Sequence, residues 1–239
     1  MPYEFLKHLG PKARKMLLHL YNLVWQGKGY PRKWRFAILK PLLKDGKSPK
    51  DTESYRPISL TSCTGKILEK IVADRLSYFL ERSGRLNDNQ AGFRQNRSTL
   101  DQVLKLAQEA SDRIHKEETN MTLATFFDYS KAYDKVWRQG LLSKMEDMEI
   151  PYRFRFFTRN FLSSRRAVVE VNGAKSREVH LNEGLPQGSS LSPMLFIIFI
   201  NDIGVDLDIE SLKSLFADDT SIWQCGPKNE KKKVGRREV

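Results

Sequence analysis

The chain has 239 residues, of which 40% are hydrophobic and 10% aromatic, which is enough for a folded core and excludes an intrinsically disordered protein. Forty-one Lys and Arg residues against 29 Asp and Glu residues give a net charge of +12, so the composition favours nucleic acid over a membrane as partner. The two cysteines, Cys63 and Cys225, are too few for a disulfide scaffold and predict a reducing, intracellular compartment.

The first part of the chain predicts helices, then a strand and a basic loop. Residues 1–26 carry apolar side chains at helical spacing, with Pro11 interrupting the pattern. The apolar stretch 34–43 predicts a strand that enters an exposed turn. In that turn, Lys44 and Lys47 contact either phosphate groups or water.

Two longer helices are predicted next. Residues 66–80 place their apolar side chains on one face, and Gly84 lies just past the end of that pattern. A second helix is predicted over 99–115, capped by Ser98. We expect its charged face to be solvated.

Strands dominate the pattern that follows. Residues 121–127 are rich in β-branched and aromatic side chains and end at Asp128, which predicts a buried strand with an acid at its end. Residues 168–171 run into Asn172-Gly173, a pair that favours a type I′ turn, and 177–181 is the predicted return strand.

The last predicted elements are a buried helix and a hairpin. Ser192-Pro193 supplies an N-cap and a first-turn proline, so the apolar run 194–200 predicts a buried helix, although it is far too short to span a bilayer. Residues 212–216 and 220–223 flank a turn that carries two adjacent acids. Helices followed by strands mixed with helices predict an α+β fold rather than a doubly wound sheet.

The acids at the predicted strand ends are candidate metal ligands: Asp128, Asp218 and Asp219. Magnesium prefers carboxylate oxygens, and two metal ions roughly 3.5 to 4 Å apart can activate an attacking oxygen and stabilise a leaving one. An Asp-Asp pair alone is more often a solvated turn. The metal hypothesis therefore depends on the two strands lying side by side.

Five motifs together resemble the reverse transcriptases of non-LTR (LINE-like) retrotransposons. They occur in the family's order, between about Trp34 and Trp223. The two fingers signatures come first and the three catalytic motifs follow: Tyr55–Leu60, Asn89–Arg94, Asp128–Val136, Gly184–Pro193 and Phe216–Asp219. Five ordered motifs are far more specific than any one of them.

The resemblance implies a right-hand polymerase. N-terminal helices and fingers would occupy residues 1–118, and a partial palm residues 119–225, with a fingers-associated hairpin near 165–181. The palm would be a split βαβ, ferredoxin-like sheet with helices on one face. We expect no thumb, because residues 220–239 match no later family motif, and we expect 226–239 to form a basic, disordered tail.

The resemblance also implies roles for the acids. Asp128 and Asp218 match the principal metal ligands, together with the backbone carbonyl of Tyr129. Asp219 matches a third acid that is bound more weakly to metal. The implied cofactor is a pair of Mg²⁺ ions, with Mn²⁺ as a substitute.

Further residues match positions that bind the nucleotide. Arg56 matches the fingers arginine that reaches the triphosphate, where a guanidinium can bind phosphate oxygens in two-pronged fashion. Lys44 is a looser match to the fingers lysine. Tyr133 matches the aromatic residue that excludes a 2′-hydroxyl, and Gln187 and Gly188 match the loop that contacts the nascent base pair and template.

The function implied is RNA-directed DNA polymerisation, with an RNA template, a DNA primer or target and dNTPs as partners. The alternative hypothesis is a truncated, catalytically inactive chain that binds nucleic acid through its basic surface. A viral RNA-dependent RNA polymerase is disfavoured by Tyr133. The four histidines show no zinc-site spacing with the cysteines, and Gly65-Lys66 lacks the upstream glycine of a P-loop.

Overall fold

A computed structural model describes residues 3–115, 121–203 and 212–226 of the chain. The contacts divide the chain into two compact units, and each unit is built from two separate stretches of sequence. Unit 1 comprises residues 1–85 and 131–199, and unit 2 comprises residues 86–130 and 200–239. The fingers and palm boundaries at residues 118 and 225 stay predictions, and the predicted tail lies outside the described residues except for its first residue.

Groups of helices and groups of strands follow one another along the described residues, as expected for an α+β fold. The helices are α1 (Tyr3–Lys7), α2 (Pro11–Trp25), α3 (Cys63–Arg82), α4 (Thr99–His115), α5 (Arg138–Asp147), α6 (Tyr152–Leu162) and α7 (Ser192–Phe199). The strands are β1 (Phe36–Leu43), β2 (Tyr55–Leu60), β3 (Met121–Phe127), β4 (Arg165–Val171), β5 (Ala174–Lys175), β6 (Val179–Leu181), β7 (Leu212–Phe216) and β8 (Asp219–Gly226). None of the described helices is long and apolar enough to cross a bilayer.

Unit 1 contains a five-stranded sheet in the order β2-β1-β4-β5, with β6 also paired to β4. Strand β1 runs antiparallel to β2 and parallel to β4. The predicted turn is confirmed, because Asn172 and Gly173 take positive φ values of 50° and 84° between β4 and β5. The return strand predicted over 177–181 is observed as the shorter β6, and β5, which precedes it, was not predicted. Between β5 and β6, the Ser176 hydroxyl accepts the Val169 N–H.

The core of unit 1 lies among α3, α5, α6 and α7. Leu76 of α3, Phe161 of α6 and Leu195 of α7 are fully buried. The predicted buried helix is confirmed, because residues 194–198 of α7 are inaccessible to solvent. The predicted cap at Ser192 is wrong, since its hydroxyl donates to the Pro186 carbonyl and Ser192 is itself the first helical residue.

Unit 2 contains an antiparallel three-stranded sheet in the order β3-β8-β7, against which α4 packs. The strand predicted over 121–127 is confirmed as β3, but its predicted burial is wrong. Leu123, Phe126 and Phe127 are 43%, 73% and 46% exposed, because β3 is an edge strand of this sheet.

The expectation that the charged face of α4 is solvated is wrong. Gln102 accepts a hydrogen bond from the Ser214 hydroxyl, and Glu109 accepts one from the Trp223 indole N–H at 3.0 Å. The sheet presents polar donors to the helix, so α4 turns polar side chains toward it, whereas the apolar Leu100 is exposed.

Leu76 provides a test of the core of unit 1. Replacing it in Leu76→Ala leaves a cavity in a site with 0% exposure, so we expect a loss of about 2 to 5 kcal/mol in the free energy of unfolding. Ile71→Ala on the same helix is the matched control, because Ile71 is 39% exposed and should cost below about 1 kcal/mol. Urea denaturation measures both, and equal losses would contradict the assigned core.

Candidate functional site

Strand register brings the three predicted acids to one end of the unit 2 sheet. The pairing of β3 with β8 ends at Phe127 opposite Thr220, so the next residues along, Asp128 and Asp219, follow in the same register. Strand β7 pairs with β8 up to Phe216 opposite Asp219, which leaves Ala217-Asp218 as the turn. The condition that the acid-bearing strands lie side by side is therefore met.

The three carboxylates form a cluster of like charge. Burial, then Asp218, then Asp128, raise the pKa of Asp219 above its usual range. Within the described part of the chain, none of the three carboxylates forms an ion pair or a hydrogen bond. Negative charge without a protein cation beside it suits a bound cation, and carboxylate oxygens suit a hard one.

The cluster is not a closed metal cage. No three His, Cys, Asp or Glu side chains in the described ranges converge closely enough to hold one ion together. The carboxylates therefore fit Mg²⁺ in donor type and in charge, and any ion held here would also need ligands from backbone carbonyls, water or substrate.

The segment Asn89–Arg94 braces the acidic turn. The Gln90 side-chain carbonyl accepts hydrogen bonds from the backbone N–H groups of Gly92, at 2.8 Å, and Ala217, at 3.0 Å. The backbone of this segment also bonds to Leu215 on both sides, through Leu215 N to Asn89 O and Ala91 N to Leu215 O. These bonds protect the edge of β7 and hold Ala217 at its positive φ of 55°.

Gly92 allows this brace to approach the turn. A Cβ atom on Gly92 would lie 2.2 Å from the Ala217 nitrogen and 2.9 Å from its Cα. Both neighbours are backbone atoms, so no side-chain rotation can relieve the clash. Sequence reasoning identified the motif that contains Gly92 but not this contact, because nothing in the local pattern relates residue 92 to residue 217.

The predicted template-contacting loop lies in unit 1, where it is held by strand β2. The Gln187 carbonyl accepts the Ser59 N–H at 2.7 Å, and the Gln187 amide donates to the Asp134 carboxylate at 2.9 Å. Gly188 has a φ of 107°, and a Cβ there would lie 3.1 Å from the Ser59 carbonyl oxygen. Two predicted motifs, Tyr55–Leu60 and Gly184–Pro193, are thus in direct contact.

Tyr133 belongs to the same assembly. Its ring stacks on Phe196 of α7 with 4.7 Å between ring centroids and 12° between planes. Its backbone carbonyl accepts the Leu185 N–H at 2.8 Å. The tyrosine is half-buried, so a fixed aromatic face stands beside the loop that contains Gln187.

The two predicted cationic residues occupy different settings in the β1–β2 hairpin. The Lys44 ammonium donates to the Glu53 carbonyl at 2.9 Å, so its charge is held within the hairpin loop. Arg56 lies opposite Leu42, is exposed, and has no ion pair or hydrogen bond among the described residues. Of the two, Arg56 is the better placed to accept a ligand phosphate.

Arg138 was missed by sequence reasoning. Its guanidinium donates to the carbonyls of Gly184, Leu162, Leu181 and Glu183 at 2.7 to 2.9 Å. Burial and then Arg165 lower the pKa of Arg138 to about 10. The side chain organises the approach to the Gln187 loop, and no sequence signal distinguishes it from a surface arginine at a helix start.

Glu69 of α3 fixes the other side of this loop. Its carboxylate is 1% exposed and accepts hydrogen bonds from the Ser189 hydroxyl at 2.6 Å and the Ser190 N–H at 3.2 Å. Burial raises the pKa of Glu69, while these bonds and Arg165 oppose the rise. Sequence reasoning placed residue 69 in a helix without assigning it a role.

Comparison with known proteins decides the family. The model of the reverse transcriptase (RNA-dependent DNA polymerase) family matches residues 44–236. The chain belongs to this family. The predicted recognition is confirmed, and this reverse transcriptase chain is similar to proteins encoded by non-LTR retrotransposons.

Relatives from Drosophila melanogaster are similar to the reverse transcriptase chain over most of its length. The "probable RNA-directed DNA polymerase from transposon BS" is 35% identical over 83% of the chain and 22% of the relative. The "RNA-directed DNA polymerase from mobile element jockey" is 31% identical over 91% of the chain and 24% of the relative. The chain therefore spans about a quarter of the length of these curated relatives.

Solved telomerase structures share the fold of the reverse transcriptase chain. Telomerase from Candida tropicalis in complex with a fragment of telomeric RNA gives a TM-score of 0.61 at 14% identity, over 92% of the chain and 41% of the telomerase. The apo enzyme truncated from its C-terminal domain gives 0.58 over 89% of the chain and 48% of that structure. These likenesses confirm the predicted α+β fingers and palm fold.

The predicted site residues fall into two groups. Asp128, Asp218 and Asp219 lie together in unit 2, as does Tyr129, which follows Asp128 directly. The predicted nucleotide-binding residues all lie in unit 1: Lys44, Arg56, Tyr133, Gln187 and Gly188. Their individual roles stay predictions.

Gly92→Ala tests the brace on the acidic turn. The new methyl group would overlap the Ala217 backbone, so we expect a loss of about 1 to 3 kcal/mol in the free energy of unfolding and faster hydrogen exchange at the Ala217 N–H. Gly10→Ala is the control, because a Cβ at Gly10 meets no atom within 4 Å and φ is −68° there. Equal effects of the two variants in urea denaturation would refute the brace.

Asp219→Asn tests the like-charge cluster. Because the pKa of Asp219 is raised in the folded protein, its ionised form costs stability at neutral pH. The cost is absent below the pKa of the unfolded chain, near 3.9, and develops as the pH rises through the folded value. We expect metal-free Asp219→Asn to melt higher than wild type at pH 7, by at most about 2 to 4 °C given solvent screening.

A second variant measured in the same melting experiments is the control for Asp219→Asn. Asp88→Asn removes an acid of the same unit that is 94% exposed and whose nearest cation is Arg97 at 3.6 Å, so its melting temperature should change little. The advantage of Asp219→Asn should disappear in melts near pH 3. An advantage that is equal at both pH values would contradict the electrostatic origin.

Proposed function

We propose that this chain carries out RNA-directed DNA polymerisation, in which the 3′-hydroxyl of a primer attacks the α-phosphorus of a dNTP and pyrophosphate leaves. The observation that carries the proposal is the register that sets Asp128 beside the Ala217-Asp218 turn and Asp219 at the end of one sheet. Membership of the reverse transcriptase family and the names of the similar Drosophila proteins support the same chemistry.

In this proposal, Asp128 and Asp218 are the principal carboxylate ligands of two Mg²⁺ ions, Asp219 is the weaker third acid, and Tyr129 contributes its backbone carbonyl. Bound Mg²⁺ would stabilise the charge that develops on the attacking and leaving oxygens. The acids supply the negative charge that retains the ions, and the raised pKa of Asp219 supports a cluster that requires cations. The Gln90 brace supplies preorganisation by fixing the turn before substrate binds.

The residues of unit 1 would bind and select the nucleotide. Arg56, exposed and without a protein partner among the described residues, would bind triphosphate oxygens, with Lys44 in a secondary role. The ring of Tyr133, fixed against Phe196, would exclude a 2′-hydroxyl and so favour dNTPs. Gln187 and Gly188, held by Ser59, would contact the nascent base pair and the RNA template.

Primer extension on poly(rA)/oligo(dT) with Mg²⁺ and dTTP tests the proposed activity. We expect extension by wild type, no extension in EDTA, and a fall of at least about a hundredfold for Asp128→Asn, because the acid is assigned to charge stabilisation in the transition state. Asp112→Asn is the matched control: this exposed acid on α4 accepts a hydrogen bond from Gln108, and the variant should extend primer as wild type does. Undiminished extension by Asp128→Asn would overturn its assignment.

The alternative function is nucleic-acid binding without catalysis, which the net charge of +12 favours independently of the acids. It predicts RNA binding that weakens steeply with salt, together with no incorporation at any Mg²⁺ concentration. Extension by wild type at low salt would eliminate this alternative. Binding assays run beside the extension assay therefore separate the two functions.

A further inference from the structure

A basic cavity in unit 1 is lined by residues that have no role in the site described above. It has a volume of about 450 Å³ and opens where the segment before β1, the start of β4 and strand β6 come together. Six residues line it: Tyr30, Arg32, Arg35, Ser164, Arg166 and His180. Three guanidinium groups around one cavity repel each other unless an anion is bound between them.

The donors of these arginines are incompletely used by the protein. Arg35 Nε is buried and has no hydrogen-bond partner in the described part of the chain. Arg32 is exposed and forms no ion pair or hydrogen bond there. Arg166 donates to Glu178 at 2.8 Å, so among the described residues one of the three arginines is paired with an acid and positive charge remains in excess.

Arg138 and the arginines of the cavity differ in how their hydrogen-bond donors are used. The Arg138 guanidinium donates hydrogen bonds to four backbone carbonyls, so its role is structural. Among the described residues, Arg32 and Arg35 donate to no backbone carbonyl, although both line the cavity, and Arg35 also lies over the Tyr30 ring at 5.8 Å from its centroid. A guanidinium presents a rigid fork of N–H donors that matches two phosphate oxygens, and phosphate contacts provide most of the affinity for nucleic acid.

We propose that Arg32, Arg35 and Arg166 form a phosphate-binding pocket. Its ligand is a phosphate group, carried either by the backbone of a nucleic-acid strand or by a free phosphate ion. Tyr30 and Ser164 also line the pocket, and its volume accommodates a phosphate together with an attached sugar. The proposal goes beyond the polymerase activity and stands without it, because binding is the property at issue.

Binding of a fluorescein-labelled oligouridylate, followed by anisotropy in EDTA across a KCl series, tests the strand phosphate. We expect Arg32→Gln and Arg166→Gln each to weaken binding by about tenfold at low salt. Each should also reduce the slope of log affinity against log salt by about 0.7, the value for one lost contact to a single strand. Lys33→Gln is the matched control, since Lys33 is exposed beside Arg32 but does not line the cavity.

A second measurement distinguishes the two phosphate sources. Melting temperatures are compared in potassium phosphate and in KCl of equal ionic strength, for wild type, Arg32→Gln and Lys33→Gln. A phosphate-specific rise that Arg32→Gln alone loses, with RNA affinity unchanged, identifies free phosphate as the ligand. Weaker RNA binding by Arg32→Gln and Arg166→Gln identifies a strand phosphate.

The proposal is overturned if the arginine variants match Lys33→Gln in both measurements. Arg32 is exposed, so its replacement should not disturb folding, and the melts verify this directly. Because neither dNTP nor free Mg²⁺ is present, the outcome is independent of whether the chain extends a primer. A failed extension assay therefore leaves the pocket unaffected, and a failed binding assay leaves the proposed polymerase unaffected.

Discussion

The pairing of β3 with β8 is the interaction on which the candidate catalytic site depends. A carboxylate at the end of one strand does not form a metal site by itself. A second strand must place further carboxylates beside it. The register that sets Phe127 opposite Thr220 achieves this for Asp128 and Asp219. Because side chains alternate along a strand, a slip of one residue would move Asp219 of β8 to the other face.

This arrangement brings three carboxylates together. Nearby hydrogen bonds hold the turn that carries two of them. The Gln90 carbonyl holds the Ala217 N–H, and the edge of β7 is bonded to the segment before Gly92. An exposed edge strand is otherwise free to pair with other chains, so the brace protects the sheet as well as the turn. The same contacts leave the carboxylates without protein partners among the described residues, as a cation site requires.

Local patterns predicted the elements well because their causes are local. The β-branched run before Asp128, the Asn172-Gly173 turn and the apolar α7 each carry their signal within a few residues. Contacts between distant segments could not be predicted in this way. Residue 90 has no sequence relation to Ala217, and α4 turned polar side chains to its sheet because Ser214 and Trp223 present donors there.

The site residues likewise divide into those that a local pattern could predict and those that depend on contacts between distant segments. The acids could be found because adjacent carboxylates in a motif are unusual, and because five ordered motifs resembled one family. Arg138 and Glu69 could not be found, since each acts by holding backbone of the loop before and after Gln187. Their burial, rather than their chemistry, separates them from the many other charged residues of the chain.

The hydrogen-bond partners of an individual arginine indicate its function, which the net charge of the chain does not. A net charge of +12 predicts a polyanionic partner but does not say where it binds. An arginine that donates to four backbone carbonyls, as Arg138 does, adds to that charge without recognising a ligand. A buried guanidinium nitrogen without a partner among the described residues, as in Arg35, carries a desolvation cost, and at Arg35 a phosphate oxygen that entered the adjoining cavity would remove it.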